Sequence, residues 1–74
     1  MKLAELGLKT KPATKYFDGG YYKFKTVSKV LYYQIVIFDQ RRNPFLFSDW
    51  NEVKDFQHLK DILATKSINE VVAK

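Results

Sequence analysis

The run Val30–Phe38 is dense in β-branched and aromatic residues, is interrupted only by Gln34 and carries no charge. It is far shorter than the ~20 residues a membrane-spanning helix needs, and its composition is that of a strand. On an open sheet edge, Ile35–Phe38 would template aggregation. The segment must therefore lie centrally in a sheet or beneath a partner, and the rest of the chain must supply that cover.

The flanking sequence supplies strands. Asp18-Gly19-Gly20 is a strong turn signal, because glycine accepts the positive φ of tight hairpin turns. Tyr16–Phe17 precedes it and Tyr21–Val27 follows. Ser28-Lys29 is a weaker break, but an uninterrupted strand from Tyr21 to Phe38 would be implausibly long. Asp39–Pro44 reads as a polar loop and Phe45–Ser48 as a last short strand. Alternation puts Leu31, Tyr33, Ile35 and Ile37 on one face of the long strand, opposite Val30, Tyr32, Gln34, Val36 and Phe38. In the preceding strand Tyr22, Phe24 and Thr26 alternate with Tyr21, Lys23, Lys25 and Val27.

A helix is expected to begin near Ser48 or Asp49, since Asp49 and Glu52 have capping-box spacing. Val53, Phe56, Leu59 and Leu63 form its apolar stripe, flanked by Ile62. Trp50 falls off that stripe, where it would cover the sheet edge or make an exposed contact. The stripe loses phase near Thr65, and Ser67 with Glu70 forms a second box, which predicts a break near Lys66 and a short terminal helix. The fold class expected is α+β: a small antiparallel meander of three to four strands followed by an amphipathic helix packed on one face. Residues 1–14 read as a short turn closed by Gly7 and then a flexible basic arm, and 15–74 as one β-β-β-α domain. The order resembles, in topology alone, three-stranded-sheet DNA binders with a C-terminal helix, such as the arm-binding domains of some integrases.

Seventy-four residues bury little surface, and chains this small need a staple or exceptional packing. There is no cysteine, which excludes disulfides and thiolate metal sites and fits a reducing compartment. Six Phe, five Tyr and one Trp take the place of a staple. No signal peptide or membrane segment is evident, so a soluble, cytoplasmic protein is expected.

Catalysis finds little footing. One histidine, no cysteine and no glycine-rich phosphate loop leave His58 with Asp55 and Asp61 as the sole acid–base candidates, and helix-surface residues at that spacing are usually solvated. A domain this small also offers little room for a deep pocket. No enzyme activity, metal or cofactor is expected.

The charge does point somewhere. Met1–Lys29 holds seven lysines against Glu5 and Asp18, a net of +5, whereas Val30–Lys74 balances six basic residues against six acidic ones. Concentrating the excess in one part of the chain favours a polyanionic partner. The expected function is a small nucleic-acid-binding accessory protein, with DNA the first choice of ligand. In this reading Tyr21, Tyr32 and Gln34 address bases, while Lys23, Lys25, Lys9, Lys11, Lys15, Arg41 and Arg42 neutralise phosphates. The competing reading is a regulator or inhibitor that binds a protein through Tyr32, Val36, Phe38 and Trp50, or forms a homodimer through that face. Leu3, Leu6 and Leu8 provide a third alternative if they fold back over it.

Overall fold

The computed structural model describes residues 1–72; Ala73 and Lys74, the end of the expected domain, lie outside the described residues. A four-stranded antiparallel meander forms the body: β1 (Lys15–Phe17), β2 (Gly20–Val27), β3 (Val30–Phe38) and β4 (Pro44–Phe47), in spatial order 1-2-3-4. A two-residue strand, β5 (Asn51–Glu52), also pairs with β3. Among the described residues two helices follow, α1 (Phe56–Ala64) and α2 (Ile68–Val72). The expected α+β meander with a C-terminal helix is the observed fold, with β3 central as its apolar sequence demands.

The β2–β3 pairing is long and regular, from Gly20 opposite Ile37 to Val27 opposite Val30. It turns on Ser28 and Lys29, whose φ values of 50° and 67° are both left-handed. A two-residue turn of that kind matches strand twist but favours Asn-Gly, and side chains there cost roughly 1–2 kcal/mol each. The S28N/K29G double variant is accordingly expected to gain about 1 kcal/mol, raising Tm by about 4–8 °C in thermal unfolding.

The helix does not begin at Asp49. Ser48–Val53 stays extended because β4 reaches only Val36–Phe38, and the rest of that edge of β3 would otherwise lack partners. Ser48 N donates to Ile35 O, Ser48 Oγ accepts from Ile35 N, and Val53 N donates to Leu31 O. The ladder outweighs the capping box. The cap belongs instead to Asp55, whose carboxylate accepts from His58 N at 2.7 Å, while His58 Nδ1 accepts from Lys54 N at 3.0 Å. The buried stripe is correspondingly Leu59 and Ile62; Phe56 and Leu63 are 53% and 40% exposed. The break at Thr65-Lys66 and the short second helix occur as expected. Glu70 accepts from Lys66 N, and the loop docks on the β1–β2 turn through Asp18 N to Lys66 O and Ile68 N to Asp18 O.

One core results, on the helix side of the sheet: Leu6, Phe17, Tyr22, Phe24, Leu31, Val53, Leu59 and Ile62. Leu6 belongs to it, and Leu3 and Leu8 pack against it, so these leucines cover the helix face and not the opposite one. Met1–Leu3 runs beside the start of β3, with Leu31 N donating to Met1 O and Leu3 N to Lys29 O. The amino terminus donates to Val53 O and pairs with Glu52 at 3.0 Å. Lys9–Thr14 follows outside regular structure, apart from Lys11 Nζ donating to Phe24 O.

Candidate nucleic-acid interface

Because directly paired residues of an antiparallel sheet point to the same side, the register identifies everything on the face that no helix covers. Tyr16, Tyr21, Val36 and Phe47 make one row across the sheet. Lys23 and Gln34 make the next, and Lys25, Tyr32 and Glu52 the one after. Phe38 stands beyond the first row, paired with Pro44 across a bulge. Trp50 precedes Asn51, the partner of Tyr33, so it comes level with Gln34 on this same side. Six of the twelve aromatic residues (five Tyr, six Phe, one Trp) therefore occupy the uncovered face.

These rings are organised into two groups. At one end Tyr16, Tyr21 and Phe38 run in series, with centroids 5.4 and 5.6 Å apart and tilted planes. Val36, beneath them, has no exposure at all, while Tyr16 is 67% and Phe47 60% exposed. At the other end Lys25 Nζ lies 4.4 Å above the Trp50 ring. Since β3 separates β2 from β5, the Trp50 side chain spans β3 to meet it. Trp50 thus covers the middle of the face and not an edge. A cation–π contact at such a site contributes about 0.5–1 kcal/mol and holds both groups in place.

Of the residues expected to touch nucleic acid, Tyr21, Lys23, Lys25, Tyr32 and Gln34 share this face. Gln34 is less free than its sequence context suggests, because its Nε2 donates to Ser48 O at 3.0 Å. Arg41 and Arg42 are exposed in the β3–β4 loop next to Phe38. That loop is held by Asp39, whose Oδ1 accepts from Arg41 N and Asn43 N. Lys11 lies along the outer edge of β2. Two residues lie elsewhere: Lys9 is exposed beside Leu3 and Leu8 at the N-terminal turn, and Lys15, paired with Tyr22, points to the helix side, away from Lys23 and Lys25. Of the residues expected to form a protein interface, Val36 is already buried and Tyr32, Phe38 and Trp50 are half-buried. Sequence reasoning missed Tyr16 and Phe47, the two most exposed rings of the face.

On the opposite side, a cleft of about 380 Å³ opens between sheet and helix, lined by Tyr22, Tyr33, His58, Asp61 and Ile62 among others. It is larger than a chain of this length suggests. Two of its polar side chains are committed to local structure: His58 Nδ1 accepts from Lys54 N at the helix cap, and Asp61 accepts from Gln57 Nε2. The His58 ring meets Tyr33 edge-on at 5.2 Å. Burial, and secondarily repulsion from Tyr22, raises the Tyr33 phenol above its usual value near 10. A folded-state pKa raised in this way stabilises the fold below pH ~10, and that contribution is lost as pH rises through the folded value. An alkaline absorbance titration of the native protein should contain a component above the ordinary phenol range, and Tyr33→Phe should remove it. Among the described residues no cluster of three or more His, Asp or Glu could hold a metal, and no helix is long and apolar enough to cross a membrane.

No family model, curated protein or solved structure matches this chain.

Proposed function

We propose that the protein binds single-stranded nucleic acid on the uncovered face of its sheet. One observation carries this reading: half of the aromatic residues stand on that face in ordered rows, with Lys23 and Lys25 interleaved among them. Aromatic planes accept any base by stacking, and neighbouring ammonium groups neutralise the backbone between stacked bases. Tyr16, Tyr21 and Phe47 are the stacking positions. Lys23, Lys25, Arg41, Arg42 and Lys11 supply positive charge beside and around them. Duplex DNA is the poorer ligand, because its bases are already stacked and groove reading requires polar groups aimed at base edges. Gln34, the best candidate for that task, is engaged by Ser48 O.

A second reading, a regulator that binds a protein partner, draws support from Phe45 and Phe47, which are 63% and 60% exposed. The buried state of Val36 weighs against the interface expected from the sequence. Fluorescence anisotropy of labelled single strands and duplexes across a salt series separates the readings. Single-strand binding whose log K falls by about 0.7 per phosphate neutralised supports the first. Absence of binding even at low salt would refute it and assign the lysines to solubility.

A further inference from the structure

Among the described residues β4 pairs only with β3, and all four of its residues are exposed. Phe45, Leu46 and Phe47 are 63%, 56% and 60% exposed. A bare edge strand with three large apolar residues is what proteins usually blunt with charge, proline or a bulge. Here Pro44 and the bulge beside Phe38 blunt only the first residue. No charge interrupts Phe45–Phe47. The opposite edge of the sheet is treated differently: Ser67 bridges Asp18 beyond β1, and Lys11 caps Phe24 O on β2.

The direction of the free main-chain groups follows from alternation. Ile35 and Leu31 accept from Ser48 and Val53, so the odd-numbered residues of β3 turn their main chain toward β4 and β5. Ile37 does likewise and meets Leu46. Leu46 is thereby satisfied internally. Phe47, opposite Val36, directs its N–H and C=O groups to the open edge, and Phe45 is left without a partner on β3 by the register shift.

We propose that this edge pairs with β4 of a second copy of the chain, antiparallel about a two-fold axis at Leu46, joining the two sheets into one. In that register Phe45 of each copy exchanges both hydrogen bonds with Phe47 of the other, and Leu46 packs against Leu46. The antiparallel arrangement places the strand end bearing Arg41 and Arg42 beside the end bearing Asp49 of the other copy, so opposite charges meet at both ends. A parallel arrangement would set like charges together. Because both copies use the same edge in an isologous contact, the assembly closes at two.

Size sets the strength. Aromatic side chains bury about 150–250 Å² each, so the three exposed residues offer roughly 300–400 Å² per copy. The total stays below the ~1,200 Å² of a standard stable interface, which predicts a weak dimer that forms only at high protein concentration. The pairing is tested without nucleic acid, although it shares Phe47, Arg41 and Arg42 with the nucleic-acid reading. It would also place both aromatic faces on the same side of one continuous sheet.

Amide hydrogen exchange followed by NMR over about 10 μM to 1 mM protein tests the register without mutation. The expected result is that the Phe45 and Phe47 amides gain protection with concentration while the Leu46 amide is protected throughout. Sedimentation equilibrium should show a reversible dimer. It should be lost in Phe47→Pro, which removes an outward donor that β3 does not use, and in Leu46→Lys, which sets like charges on the two-fold axis. Circular dichroism confirms that each variant is folded. A chain that stays monomeric at 1 mM overturns the proposal. So does a dimer whose Phe45 and Phe47 amides exchange as fast as in the monomer, since it must use another surface.

Discussion

Gly20→Ala is expected to unfold the protein or lower its Tm by about 12–24 °C. A Cβ at this position would overlap the backbone oxygen of Val36. The clash is with main chain, which cannot rotate away as the end of a flexible side chain could. Relief requires β2 and β3 to separate where Gly20 pairs with Ile37. That point also anchors β1, since Phe17 pairs with Gly20. Overpacking a core with added methylenes costs about 1–3 kcal/mol and more against rigid neighbours. Domains of this size have roughly 4–11 kcal/mol in total. At about 4–8 °C per kcal/mol, a loss of 3 kcal/mol gives the stated shift. The two other glycines calibrate the effect. Gly7 has a φ of 74° with open space where a methyl group would stand, so Gly7→Ala carries only the left-handed backbone cost of about 1 kcal/mol. Gly19, with a φ of 103°, would meet the Ile68 side chain at 3.0 Å and falls between. Thermal unfolding should rank the variants Gly7→Ala, Gly19→Ala, Gly20→Ala in increasing damage. A mild Gly20→Ala would mean that β2 and β3 separate at this point at little cost.

That ranking also marks how far the sequence could be read. Asp18-Gly19-Gly20 is legible as a turn, because turn chemistry is local. That the second glycine is needed for space, and not for φ, depends on where β3 passes and leaves no trace in the neighbouring residues. The strands β2 and β3 were legible for a related reason: alternation over seven to nine residues is a repeated signal, and burial on one side enforces it. The helix start was not, since Asp49 and Glu52 present a good local cap while the edge of β3, far away in sequence, needs the same residues as ladder partners. The face was partly legible. Tyr21, Lys23, Lys25, Tyr32 and Gln34 follow from parity within a strand, whereas Tyr16 and Lys15 require parity across the turn. A two-residue loop at Asp18-Gly19 sets Tyr16 opposite Tyr21 and Lys15 opposite Tyr22. Applying that rule to the turn would have gained the first residue for the face and removed the second. Phe47 depends on a bulged pairing with β3 that no local motif announces.

Single alanine substitutions of Tyr16 and Tyr21 should separate stacking from charge. Tyr16→Ala and Tyr21→Ala are each expected to weaken binding of a single-stranded oligonucleotide by about 5- to 150-fold, the equivalent of the roughly 1–3 kcal/mol a base–aromatic stack contributes. Their salt dependence should match that of the unaltered protein, because no phosphate contact is lost. Tyr16 is the cleaner site, being 67% exposed, whereas Tyr21 also supports Phe38 at 5.6 Å. Replacing Lys23 and Lys25 with Glu should instead abolish binding at moderate salt with the fold intact. The single Lys23→Glu variant, still measurable at low salt, should lower the salt slope by about 0.7. Lys25→Glu also removes the cation above Trp50, so Trp50 fluorescence reports that change separately. Phe56, an aromatic residue 53% exposed on α1, provides the control: Phe56→Ala should leave binding unchanged. Equal losses from Tyr16, Tyr21 and Phe56 would indicate a general effect on stability, which circular dichroism would reveal. Unchanged binding in both tyrosine variants and in the lysine pair would remove the sheet face from nucleic-acid recognition. Tyr32→Ser with Phe38→Ser then becomes the decisive variant, since loss of a protein partner with nucleic-acid binding spared is what the regulator reading requires.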